Sequence, residues 1–291
     1  MKLIWKFNAL LLVLFGVGFA VAAGVSYKVL QTNAREEVLQ QARIMMEAAS
    51  SSRNYTTAQI KPLLETQLKY RFLPQSVPAF AATEVFNDLR KKYPDFAYKE
   101  AVLNPTNPRD HATDWEVDVV NQFRQTSSRT EVIGERDTTS GPSMFLARPI
   151  QIKDPACLLC HNTPDDAPRT MIETYGSGNG FGWKLNEIVG AQVVSIPTTV
   201  ASQRASFTLK VFLLALGGVF IFTILMLNLM LYWFVIRRVK LLSKLANEVS
   251  LGNLDAGDFR SGSTDEIGVL TGALARMKTS MVQAIKMLDG N

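Results

Sequence analysis

Two stretches without a charged residue constrain this chain most. The first runs from Phe7 to Tyr27 and is almost wholly apolar between Ala9 and Ala23. The second runs from Val211 to Ile236. A helix needs about 20 apolar residues to cross roughly 30 Å of hydrocarbon, and both stretches are long enough. Lys2, Trp5 and Lys6 precede or open the first; Tyr232 and Trp233, then Arg237, Arg238, Lys240 and Lys244, close the second. Basic flanks stay in the cytoplasm and aromatic residues prefer the interface. The expected topology is a multi-pass protein of the bacterial inner membrane with both termini inside and residues 28–210 in the periplasm. A cleaved signal peptide competes for the first stretch, since Ala20-Val21-Ala22 resembles a small-residue cleavage site. A buried core helix is the alternative for the second.

Charge and cysteine usage exclude several classes. The net charge of +5 forms no basic stripe on one segment, so no nucleic-acid partner is expected. The chain has only two cysteines, Cys157 and Cys160, and three residues of separation cannot tie distant segments into a disulfide framework. No nucleophile–base pair or paired carboxylates stand out, so no enzyme is expected.

The two cysteines fall in Cys157-Leu158-Leu159-Cys160-His161. Thiols at this spacing can form thioethers to the two vinyl groups of one haem, and the adjacent imidazole can reach its iron: the c-type attachment signature. Three readings compete. A redox dithiol usually opens a helix in a βαβ setting, whereas Pro155 and Pro164 bracket this motif. Zinc needs four ligands, and His111 is the single further His or Cys. Chance is the third. For the other axial position the candidates are Met46, Met45 and His111; Met144 opens a strand, and a vacant position would suit a gas.

The intervening segment reads as α+β. A long helix from about Tyr27 to Gln67 is interrupted at Pro62. A second helix covers Pro78 to Lys92 and a third Asp114 to Arg124, with Asp114 as N-cap. Strands are expected at Phe96–Leu103, Thr130–Gly134, Met144–Ile152 and Val189–Ile196, the middle two joined through a Gly141-Pro142 turn. Gly176-Ser177-Gly178-Asn179-Gly180 reads as a flexible turn.

Beyond the second stretch, Val235, Val239, Leu242, Ala246 and Val249 recur at alternating steps of four and three. Ile267, Leu270, Leu274, Met277, Met281, Ala284 and Leu288 repeat the pattern. Both are coiled-coil seams. They flank a polar connector, Gly252 to Gly257, and a homodimer forming a four-helix bundle would bury both; an amphipathic hairpin on the membrane surface is the alternative.

This tail resembles a HAMP domain in its position after a span, in Gly252 and Leu254, and in Asp265-Glu266-Ile267-Gly268. Arg238 stands where HAMP helices usually begin near a proline. The segment before it resembles the haem c-binding, PAS-like sensor domain of bacterial chemoreceptors and sensor histidine kinases. The resemblance is carried by Asn104-Pro105-Thr106-Asn107-Pro108, Asp114-Trp115-Glu116, Leu146-Ala147-Arg148-Pro149, Cys157 to His161 and Gly180-Phe181-Gly182-Trp183. It implies a PAS/Cache-like fold, one covalent haem c on Cys157 and Cys160, His161 as proximal ligand, and a distal side closed by the first helix, with Met46 or Met45 ahead of His111. The expected organisation is an anchor at 1–27, a haem domain at 28–209, a second span at 210–236 and a HAMP domain at 237–291. The expected function is sensing of redox state or a diatomic gas. The sequence ends at Asn291 without an output module, so the expected reader of the signal is a separate cytoplasmic kinase or chemotaxis-type protein. A membrane-anchored electron-transfer cytochrome is the alternative.

Overall fold

The structure, a computed structural model, describes residues 3–126, 128–139, 141–253, 255, 257–259 and 264–289. Lys2, Leu254, Ala256 and Asn291 lie outside it, as does the side chain of Leu288. The chain forms two compact units, Val25–Leu209 and the pair of segments Met1–Gly24 and Lys210–Asn291.

In the first unit α1 (Leu3–Tyr55) ends in a wide turn, Thr56–Ile60, just before Pro62. Pro62 has no N–H to give the carbonyl four residues back, so the regular ladder cannot continue. There follow α2 (Pro78–Arg90), β1 (Ala97–Val102), α3 (Asp114–Gln125), β2 (Val132–Thr138), β3 (Gly141–Gln151), the single turn α4 (Leu158–His161), α5 (Arg169–Tyr175) and β4 (Ile188–Pro197). The strands pair antiparallel in the order β1-β4-β3-β2. The fold is therefore α+β.

Strand periodicity sorts the core into two layers. Met144 and Leu146 of β3 and Val194 and Ile196 of β4 face one side, against Val38, Ala42, Met46 and Ala49 of α1 and Phe86 of α2. Ala147, Ala191 and Val193 face the other, against Val119, Val120 and Phe123 of α3. The N-cap of α3 is Thr113 rather than Asp114. Thr113 is extended, and its backbone N–H and hydroxyl both donate to Glu116, at 2.8 and 2.9 Å; this is a capping box. Gly141 and Pro142 are not the hairpin turn but the first residues of β3, paired with Thr138 and Asp137.

In the second unit two helices are long and apolar enough to cross a membrane, and their apolar windows are almost entirely unburied. A core helix would be mostly buried, and the apolar window of the second stretch is not. One of them begins as α6 (Thr199–Met230) and runs through a wide turn, Leu231–Ile236, into α7 (Arg237–Ser250). The last helix is α8 (Glu266–Asp289). Leu242 and Val249 of α7 pack with Ile267 and Leu274 of α8. Phe259, just beyond the polar connector Gly252 to Gly257, is buried in the same cluster.

A polar pair joins α1 to α6 within the apolar zone. Asn8 Nδ2 donates to Asn228 Oδ1 at 2.8 Å, and Asn228 Nδ2 returns the bond to Asn8 Oδ1 at 2.7 Å. Each amide also donates to the carbonyl four residues back, Ile4 and Ile224, at 2.8 Å. All four amide N–H groups are thereby satisfied. Farther along the same two helices Phe15 and Phe220 meet with centroids 4.8 Å apart and planes tilted by 33°. Asn8→Leu or Asn228→Leu alone strands the partner amide in an apolar setting. Thermal unfolding of the full chain in detergent is expected to show each single variant as less stable than additivity with the double variant allows, with a coupling of about 0.6–2 kcal/mol.

Candidate haem site

The CxxCH segment is shaped by its own local bonds. The Asp154 carboxylate accepts from the Ala156 N–H at 2.8 Å, which caps the turn Pro155–Cys157. The chain then enters α4, placing Cys157, Cys160 and His161 on one turn and a half of helix. The thiols are not joined to each other and are partly exposed. Burial pushes both above the ordinary thiol range, although Lys61 pulls both back and Arg53 pulls Cys157. A dithiol built for exchange chemistry needs the opposite shift. Among the described residues no group of three or more His, Cys, Asp or Glu is arranged to hold a metal ion.

His161 is fixed on three sides. Its Nδ1 lies 2.7 Å from the Gly180 carbonyl, which makes Nδ1 the protonated nitrogen. Thr106 Oγ1 stands farther off, at 3.5 Å. Trp183 stacks on the imidazole, with centroids 3.9 Å apart and planes 10° from parallel. Burial lowers the imidazole's pKa, which favours the neutral ring, and its Nε2 is the nitrogen left to coordinate. Cys157, Leu158 and Trp183 pack with Val102, Ile150, Ile152 and Val189, an apolar wall at the ends of β1, β3 and β4.

The segment from Gly180 to Trp183 was legible as part of a family resemblance, but Gly176–Gly180 is not simply a flexible turn. Gly180 supplies the acceptor for His161, at φ +85°. A Cβ there would sit 2.0 Å from Thr106 Oγ1 and 2.8 Å from Thr106 Cα. Only glycine satisfies both demands. Asn104, Thr106 and Trp183 join the site through contacts that no spacing in the sequence announces.

The axial alternatives lie elsewhere. Met46 is fully buried and Met45 nearly so, both in the cluster between α1 and the sheet rather than in the wall around Cys157. His111 follows the turn Pro108–Asp110, with Nδ1 2.9 Å from the Ala112 carbonyl and its backbone bridged to Val102. The structure thus unites Cys157, Cys160 and His161 and does not bring Met45 or Met46 to them.

A cleft of about 440 Å³ is lined by Ser50, Arg53 and Asn54 of α1, by Pro149, Ile150, Gln151 and Lys153, and by Gln192 of β4. Ile150 belongs also to the wall around Cys157. Arg53 pairs with Glu100, which is almost fully buried and accepts from the Tyr98 hydroxyl at 2.7 Å. Gln192 Nε2 donates to that hydroxyl at 3.1 Å.

Gly180→Ala is expected to lower stability by at least ~1–3 kcal/mol through backbone strain alone. Gly178→Ala, where a Cβ meets nothing within 4 Å, is expected to stay within about 0.5 kcal/mol of the parent. Thermal unfolding of the full chain in detergent compares the two.

Comparison with known proteins bears on this site. Among solved structures, that of the cyanobacterial haem protein Tll0287 is similar at 20% identity, covering 55% of this chain and 95% of that one, with a TM-score of 0.44. No curated protein matches. The model of the Tll0287-like family matches residues 31–197, a span that holds β1 to β4 and the whole CxxCH site. That match covers more than half of the sequence, and the chain belongs to the Tll0287-like family.

Proposed function

We propose that this chain is a membrane-bound haem c protein that works as a sensor subunit. The observation that carries the reading is His161: its Nδ1 is bound to a backbone carbonyl, Nε2 is spare, and two unpaired thiols lie on the adjoining turn. A backbone carbonyl on the non-coordinating nitrogen is the usual support for a metal-bound histidine. Membership of a family named after a haem protein adds to it.

Cys157 and Cys160 would hold the haem and His161 would be its proximal ligand. Trp183, Ile150, Ile152 and Val189 exclude water from that side. Lys61, whose charge is felt at both thiols, would offer positive charge to a haem held there. A haem attached here supplies a one-electron couple and, where a coordination position is open, a place for a diatomic gas.

In this reading the segment between the spans is a PAS/Cache-like periplasmic domain, and α7 with α8 is a HAMP module. Leu270, Met277 and Met281 of the expected seam stay exposed in a single chain, and a second copy would cover them in a four-helix bundle. Such a bundle has alternative packings, as a switch requires. A separate cytoplasmic signalling protein would read it. An electron-transfer cytochrome needs the same haem but gives the packed pair α7–α8 no task.

Full-length protein from cells proficient in c-type maturation is expected to give a haem-stained band that survives boiling, lost in Cys157→Ala/Cys160→Ala. Absence of the band from the unaltered protein rejects the haem reading. A periplasmic reporter fused after Ile150 is expected to be active and one fused after Asp265 inactive; the reverse rejects the topology. Met46→Ala is expected to cost about 2–5 kcal/mol as a core truncation and to leave the haem spectrum unchanged. A changed spectrum would instead make Met46 the distal ligand.

A further inference from the structure

The loop that receives the His161 hydrogen bond is itself gripped by one side chain. Asn104 Oδ1 accepts from the Gly180 N–H at 3.2 Å, and Asn104 Nδ2 donates to the Phe181 carbonyl at 3.3 Å. The two bonds fall on either side of the peptide unit that joins Gly180 to Phe181. That unit carries the carbonyl that meets His161. On one side it is flanked by Gly180, whose backbone is left-handed at φ +85°, and one residue beyond Phe181 the chain is left-handed again at Gly182, φ +78°. The glycine at its head leaves this peptide plane freer to rotate than a residue with a Cβ would. The Asn104 amide removes that freedom, and its orientation is unambiguous, because a backbone N–H demands an acceptor and a carbonyl demands a donor. Two further bonds close the loop onto the motif: Gly182 N–H to the Asn162 carbonyl at 2.8 Å, and Trp183 N–H to the His161 carbonyl at 3.2 Å.

We infer that Asn104 is a positioning residue that sets the iron potential by aiming the Gly180 carbonyl at His161 Nδ1. The inference rests on the haem reading above. A carbonyl held on the Nδ1 proton makes the imidazole a more basic ligand. A more basic ligand favours ferric over ferrous iron. Release of the peptide plane weakens that bond and moves the balance toward ferrous. Asn104 acts through Gly180 and touches neither the thiols nor the imidazole. Asp in its place is nearly isosteric but, when ionised, only accepts, so it keeps the bond from Gly180 N–H and repels the Phe181 carbonyl.

The test uses the full chain in detergent, with haem staining, a redox titration and resonance Raman spectra of the reduced protein. Asn104→Ala and Asn104→Asp are expected to keep the stained band. At a fixed applied potential each is expected to raise the ferrous-to-ferric ratio about tenfold, ~59 mV for a one-electron couple, and to lower the iron–histidine stretching frequency. Val120→Ala, a core truncation on the buried face of α3, is the comparison for general loss of stability and is expected to leave potential and frequency unmoved. An unchanged potential in both Asn104 variants, or an equal shift in Val120→Ala, overturns the inference. Absence of the band from the unaltered protein overturns the haem reading itself, and this inference with it.

Discussion

Strand β4 is buried almost from end to end. Alternate residues serve opposite layers: Val194 and Ile196 meet α1 and α2, while Ala191 and Val193 meet α3. A strand with both faces covered has its register set by packing, because a slip of one residue exchanges its two faces. β1 and β3 pair with it on either side, so their positions follow. At Gly190 the approach of β1 is so close that a Cβ would lie 2.4 Å from the Ala101 carbonyl oxygen. Val102 and Val189 therefore come together at this end of the sheet, where they form the wall against which Cys157 and Trp183 pack.

The site depends on that end of the sheet for more than its wall. Asn104 and Thr106 follow β1, the CxxCH turn follows β3, and Gly180 to Trp183 precede β4. Three loops leaving neighbouring strands meet over one imidazole. None of them need be stiff alone, because each is bonded to another: Asn104 to Gly180 and Phe181, Gly180 to His161, and Trp183 back to His161. The buried Arg53–Glu100 pair with Tyr98 and Gln192 ties α1 to β1 and β4 in the same region. A buried ion pair adds little net stability, since desolvation offsets the attraction. Removing one partner leaves the other charge stranded, so the pair penalises other placements of α1.

Periodicity and punctuation made much of the fold legible. The helix over Pro78, all four strands and the α+β class follow from apolar spacing and turn residues. Boundaries failed where a neighbour decided them. Thr113 took the cap from Asp114 because Glu116 could reach back to it. Gly141 and Pro142 were drawn into β3 by pairing with β2. Phe259, just past the connector and outside both apolar repeats, is buried because α7 and α8 enclose it.

The sequence by itself determined the features that depend on local composition and spacing. These are two helices able to cross a membrane, the thiol–thiol–imidazole order of Cys157, Cys160 and His161, and the amphipathic repeat of α7 and α8. Each is a property of consecutive residues, and consecutive residues share one backbone geometry. The tertiary structure decided what depends on residues far apart. It put Met45 and Met46 into the core instead of beside the thiols, gave Asn8 its partner in Asn228, and made Gly180 the acceptor for His161. A hydrogen bond or a packed contact between distant segments exists only once the sheet has fixed where the loops end, and spacing along the chain carries no record of that distance.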